Sequence, residues 1–115
     1  MQLNIINNDD NGGFMPENKE TIKRKNDRFR ESFIGGMVVV TKAVQCNKDF
    51  EAVIRKVQGF DDFTYNNDPY GEHDFGKFDL NGTSYFWEID YYDDNYEFFK
   101  EDGKRVLTIM RADEY

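Results

Sequence analysis

Histidine, cysteine and proline are all scarce in this chain, which has one His, one Cys and two Pro in 115 residues. With Cys46 alone, neither an intrachain disulfide nor a Cys-based zinc site can form. A lone His73 rules out metal centres built on two or three imidazoles and leaves a single candidate for imidazole catalysis. No apolar run approaches the ~20 residues that a membrane-spanning helix needs. The opening MQLNIINNDDNGG lacks the basic start and apolar centre of a signal peptide, so a cytoplasmic location is expected. Neither GxGxxG nor GxxxxGK[ST] occurs, so no phosphate-binding loop is expected, and no cofactor or metal is assigned.

Basic residues are scarce where they would matter most. Residues 1–58 carry ten Lys/Arg against eight Asp/Glu, whereas residues 59–115 carry five against fifteen, for a net charge of −8. A nucleic-acid binder needs a basic footprint, and the only basic cluster here, KRKNDRFR, is scattered around a helix by its own spacing. Direct nucleic-acid binding is therefore not expected.

Aromatic residues and carboxylates, by contrast, are abundant. Nineteen aromatics can supply much of a core, since each buries on the order of 150–250 Å². Between Tyr85 and Phe99 the chain reads YFWEIDYYDDNYEFF, with eight aromatics, five carboxylates and no Lys or Arg. That segment alternates like a strand yet holds unbroken negative charge, the composition of a surface that meets something positive.

Residues 1–16 read as an Asn- and Asp-rich arm without periodicity, a loose terminus or a short edge strand. Residues 17–115 read as one domain. A helix is predicted from Glu17 to Phe33, with Ile22, Phe29 and Phe33 near one face and Gly35-Gly36 at its end. Met37–Thr41 is predicted as a β-branched strand. A second helix is predicted over Lys48–Gln58, with Asn47 as N-cap and a stripe of Phe50, Val53, Ile54 and Val57. Asp74–Leu80, Thr83–Tyr92, Tyr96–Phe99 and Arg105–Ala112 are predicted strands. Asn81-Gly82 is a strong hairpin signal because a type I′ turn requires positive φ at both positions. That register places Phe78 against Tyr85, Gly76 against Trp87 with room for the indole, and His73 opposite Asp90. The expected fold is α+β: two helices packed on one face of a mostly antiparallel sheet ending in a four-strand meander.

Three stretches, FDDFTYNNDPYGEHDFG (Phe60–Gly76), WEIDYYD (Trp87–Asp93) and RVLTIMRADEY (Arg105–Tyr115), resemble the signature of a domain-of-unknown-function family. DRFRESFIGGMVVVT (Asp27–Thr41) resembles that family's first block. The resemblance implies a small protein found mainly in proteobacteria, often on plasmids and phage-derived elements, and it brings no assigned activity. The chain departs from the pattern in its Asn-rich arm and in the short acidic link DDNYEFFKEDG.

Three functional readings follow. The first is an inhibitor of a host defence complex that handles nucleic acid, of anti-CRISPR or anti-restriction type, acting in the host bacterial cell. Carboxylates at alternate strand positions, ~6.6–6.8 Å apart, roughly imitate phosphate spacing and would occupy the basic groove of a defence protein or ribonucleoprotein. Asp90, Asp93, Asp94 and Glu97 would supply charge, with Tyr92 and Phe98 as anchors. The second is a metal-dependent or acid–base enzyme centred on Glu72, His73, Asp74 and Asp90. The third is a homodimeric regulatory module pairing through an exposed edge of the meander. The loop Asp61–Asp74, including Asp68, Glu72, His73 and Asp74, is read foremost as a turn-rich structural element. His73 would hydrogen-bond to Asp90 across the hairpin, and Cys46 would pack as a small apolar group.

Overall fold

The computed structural model describes residues 18–115; the predicted N-terminal arm lies outside them. Helix α1 spans Asn18–Ser32, strand β1 Gly36–Val40, a single turn α2 Lys42–Gln45, and helix α3 Phe50–Gln58. Strands β2 (Phe75–Leu80), β3 (Thr83–Tyr92) and β4 (Lys104–Arg111) follow, and a 3₁₀ turn covers Ala112–Glu114. The sheet order is β1-β4-β3-β2. The fold is α+β, as expected.

The hairpin register is the one read from Asn81-Gly82. Phe78 pairs with Tyr85 and Gly76 with Trp87, and both turn residues have positive φ. A side chain at Gly76 would collide with the Trp87 indole, so only glycine lets that ring lie against β2. The indole Nε1 has no acceptor among the described residues. Burying the ring is worth roughly 4–6 kcal/mol, and an unmade hydrogen bond costs about 1–3 kcal/mol. Burial therefore wins.

The meander differs from the expectation in one strand. Tyr96–Phe99 is a turn, joined to the sheet by a single bridge from Phe99 to Tyr92. The cause is local hydrogen bonding. Asp93 Oδ1 accepts the N–H groups of Asn95 and Glu97, the Phe98 carbonyl accepts the Asp93 N–H, and Tyr96 takes positive φ. A backbone closed on itself in this way has no free row of groups for a ladder. The sheet's fourth strand is β1, which lies parallel to β4 with Val38 beside Leu107.

Alternation along the strands divides the sheet into two faces. Tyr85, Trp87, Ile89, Leu107 and Ile109 form a buried cluster with Phe29 of α1, Val44 of α2, Val53 and Val57 of α3, and Phe60. The predicted α3 stripe thus faces the core, though the helix begins at Phe50. Asp49 rather than Asn47 therefore holds its N-cap position; Asn47 caps the turn just before it, its Oδ1 accepting the Asp49 N–H while its Nδ2 donates to the Tyr85 hydroxyl. Helix α1 ends at Ser32, and Phe33 rather than a glycine takes the first left-handed position after it. Cys46, the residue that closes the α2 turn, is exposed rather than packed as expected.

Candidate functional site

Strand β2 pairs with β3 only as far as Glu88, while β3 continues to Tyr92 against β4. The last bond on the β2 side runs from the Ile89 N–H to the Asp74 carbonyl. Beyond it a cleft of about 490 Å³ opens along Ile89–Tyr92, within the size range of ligand sites. Glu72 and Asp74, just before β2, form one side. Phe99, Glu101 and Asp102, after the acidic turn, form another, and Ile22 of α1 closes the floor. Five of its lining residues are carboxylates (Glu72, Asp74, Asp90, Glu101, Asp102), three are aromatic, and none is Lys or Arg.

The cleft is braced from behind by a buried polar chain. Arg105 Nε donates to Asn26 Oδ1 at 2.6 Å, and Asn26 Nδ2 donates to the Tyr91 hydroxyl at 2.8 Å and to the Glu72 carbonyl at 2.9 Å. The Tyr91 hydroxyl donates in turn toward Asp74 Oδ2 at 3.4 Å. Burial pushes the Tyr91 hydroxyl well above the ordinary phenol range, so it stays a donor. Two cations beside the cleft are already engaged: Lys25 Nζ and Arg105 Nη2 both donate to Asp102, at 2.9 and 2.7 Å. Burial alone would raise the Asp102 pKa, but those two bonds and their charges hold it below the usual carboxylate range.

Three half-buried acids, Asp74, Asp90 and Glu88, are placed where their charge is disfavoured. Burial raises the pKa of Asp74, and the neighbouring Asp68 charge adds to the rise. Burial likewise raises Asp90. It raises Glu88 too, on the uncovered side of the strand, with further repulsion from Asp90 and Asp74. Like charges crowded in a half-desolvated site favour any cation that enters it.

The structure brings together Glu72, Asp74, Asp90 and Tyr92 of the sequence-predicted residues, and it adds Ile22, Tyr91, Phe99, Glu101 and Asp102. Asp93, Asp94, Glu97 and Phe98 stand apart, on the turn beyond. There the Asp93 carboxylate is held below its ordinary pKa by backbone N–H groups, Glu97 first among them, which makes it part of the turn's framework. Phe98 and Phe99 are both largely exposed, and Phe99, at 73%, is the ring that borders the cleft.

His73 is a correction. It does not meet Asp90, because its positive φ turns it out of the strand before pairing begins at Phe75. Its Nδ1 lies 2.8 Å from Asp27 Oδ1 of α1 and its Nε2 3.5 Å from Asp68 Oδ2, with the ring stacked on Phe63 at 3.6 Å between centroids. Asp68 also accepts the N–H groups of Glu72 and His73 through Oδ1. Both ring nitrogens thus face carboxylates of α1 and the loop, while Glu72, Asp74 and Asp90 line the cleft without the His73 ring. Among the described residues no group of three or more His, Cys, Asp or Glu is arranged to hold a metal ion.

Sequence reasoning missed the buried polar residues Asn26, Arg30 and Arg105. Arg30 donates to the Val57 and Phe60 carbonyls at the end of α3 and to Asp27, and lies 5.1 Å from the Trp87 ring centroid. The available signal was weak. Ile22, Asn26, Phe29 and Arg30 share one α1 face at helical spacing, but two of the four are polar.

The fold and cleft define a small α+β protein with an acidic, aromatic recess. The chain belongs to the family described as "Protein of unknown function (DUF3768)", which it matches over residues 37–114. No curated protein and no solved structure matches it. Among the described residues no helix is long and apolar enough to cross a membrane.

Proposed function

We propose that this protein is a non-catalytic binding module that captures a basic protein surface through the Ile89–Tyr92 cleft and the adjoining acidic turn. The observation that carries this reading is the cleft lining: five carboxylates and three aromatics with no cation among them. A Lys or Arg side chain entering it would gain the crowded carboxylates as partners and the faces of Tyr92 and Phe99 as cation–π contacts. A second cleft of about 660 Å³, between α3 and β2, mixes Arg55, Lys56 and Lys77 with Asp61, Asp62 and Asp79, so it expresses no preference for charge.

In its sharper form, the partner is a nucleic-acid-handling defence protein or ribonucleoprotein of the bacterial host, and the module inhibits it. Glu88 and Asp90 occupy alternate positions on one face of β3, with Asp93, Asp94 and Glu97 continuing the negative surface around the turn. Such a row competes with a phosphate backbone for a basic groove. The plasmid and phage setting implied by the sequence blocks gives an inhibitor an occasion to act.

Titration with an arginine-rich peptide at several salt concentrations tests the module. Binding should weaken steeply with salt. Asp90→Asn should reduce affinity mainly through the association rate, and Tyr92→Ala should raise the dissociation rate. No peptide binding at low salt, or no effect of Asp90→Asn, would sink the reading. Inhibition is tested by competition: an identified basic partner should release its DNA or RNA when the protein is added, and retention of the nucleic acid removes the mimicry claim. Sub-micromolar binding of duplex DNA by the protein itself would contradict both.

A further inference from the structure

The two outer strands of the sheet are unlike. β2 ends the sheet on one side with Lys77 and Asp79 exposed, the kind of charge that discourages a foreign strand. β1 ends it on the other side as Gly-Met-Val-Val-Val, with neither charge nor proline. Among the described residues no strand pairs with this outer edge, and both of its flanks are apolar. On the open face Met37 and Val39 are 44% and 40% exposed, and Ile34, just before the strand, is 78% exposed. On the helix side a groove of about 430 Å³ runs between β1 and α3, lined by Phe33, Val38, Val40, Phe50 and Ile54.

The charge of this region decides what can cover it. In a chain of net −8, the groove carries one acid and one base, Glu51 and Arg55. They stand one turn apart on α3, and among the described residues neither forms an ion pair. A basic partner finds no net negative charge here, and a nucleic acid finds a single cation. A surface that is neutral, apolar and edged by one charge of each sign is complementary to itself.

We propose that a second copy of this chain docks on β1, pairing the two β1 edges antiparallel about a twofold axis to make one eight-stranded sheet. Pairing centred on Val38 sets Met37 opposite Val39 of the other copy, and the two grooves close on each other. The same twofold brings Glu51 of one copy to Arg55 of the other, twice over, as an isologous interface requires. No residue of this edge lines the acidic cleft, so the dimer stands independently of the proposed function and leaves both clefts open for a bivalent target.

Sedimentation equilibrium over a concentration series tests the dimer directly. The mass should approach twice 13.7 kDa as concentration rises. Val39→Lys, on an exposed side chain, should give a monomer with unchanged circular dichroism. Glu51→Arg and Arg55→Glu, each alone, turn two attractive contacts into two repulsive ones and should weaken association by about tenfold. An equimolar mixture of those two variants restores opposite charges in both contacts and should return dimerisation to the wild-type level. A wild-type chain that stays monomeric throughout, including one that captures only a foreign strand, overturns the proposal. So does a dimer that survives Val39→Lys, or a mixture that fails to rescue.

Discussion

Polar groups beneath the helices and polar groups in the cleft are treated in opposite ways. Under α1, Asn26, Arg30 and Arg105 are buried, and each makes several hydrogen bonds to carbonyls, carboxylates or one another. A few residues away Asp74, Glu88 and Asp90 sit half-buried against the cost of desolvation, with Asp68 repelling Asp74 and with Asp90 and Asp74 repelling Glu88. The first arrangement satisfies every partner and ties α1 to α3 and the sheet. The second lowers stability wherever the acids ionise, so it is intelligible as a surface held ready for a cation. Stability resides under the helices, and the proposed binding surface lies where β3 outruns β2.

The largest test of this contrast is Arg30→Ala. It removes the donor for the Val57 carbonyl of α3 and the Phe60 carbonyl just past it, and the cation facing Asp27; a broken buried ionic group typically costs about 3–5 kcal/mol. Urea denaturation should show that loss. If Arg30→Ala proves nearly neutral, the polar network is not what holds α1 in place.

Gly76→Val comes next. The side chain would intrude on the Trp87 indole, and overpacking of this kind costs about 1–3 kcal/mol, with a change in Trp fluorescence. Unchanged stability and emission would mean that the indole does not lie against Gly76.

The cleft side of the comparison is sharpened by pH. Asp74, Glu88 and Asp90 have folded-state pKa values above their ordinary ones, so their contribution to stability is present below the ordinary carboxylate pKa and is lost as pH rises through the raised values. Asp102 and Asp113 are lowered instead: Asp102 by Lys25 and Arg105 against the pull of burial, Asp113 by its bonds to Arg111. Their contribution is lost as pH falls through those lowered values. Stability should therefore peak at mildly acidic pH. The double replacement Glu88→Gln, Asp90→Asn should raise the stability read by urea denaturation at neutral pH, by under about 1 kcal/mol after solvent screening, and the gain should shrink as the wild-type acids protonate. A double variant less stable at neutral pH would show that these acids are not in conflict.

The smallest effects separate framework from surface on the acidic turn. Asp94→Asn and Glu97→Gln should leave melting unchanged while weakening a basic partner's association. Asp93→Asn should lower melting measurably, because Asp93 caps two N–H groups of the turn. Equal melting of all three would deny Asp93 that role.

Much of the fold was legible in the residues themselves. The β hairpin followed from Asn81-Gly82 and strand alternation, because type I′ geometry and the two-residue pleat leave one register that buries Trp87. The α3 stripe followed from helical spacing, and the acid–aromatic character of residues 85–99 from composition. These are local rules, read within a few residues. Tertiary structure decided the rest. Whether Tyr96–Phe99 would pair depended on where its backbone N–H groups went, and Asp93 took them. That β1 would lie beside β4 is a contact between residues some seventy positions apart, and His73 chose Asp27 over Asp90 through a similarly distant contact with α1. The cleft exists because β3 outlasts β2 just where Phe99 and Asp102 return, and Asn26, Arg30 and Arg105 could be buried only because their partners arrive from other elements. Spacing along the chain specifies which face a residue takes; which distant group meets it there depends on how the faces close over one another.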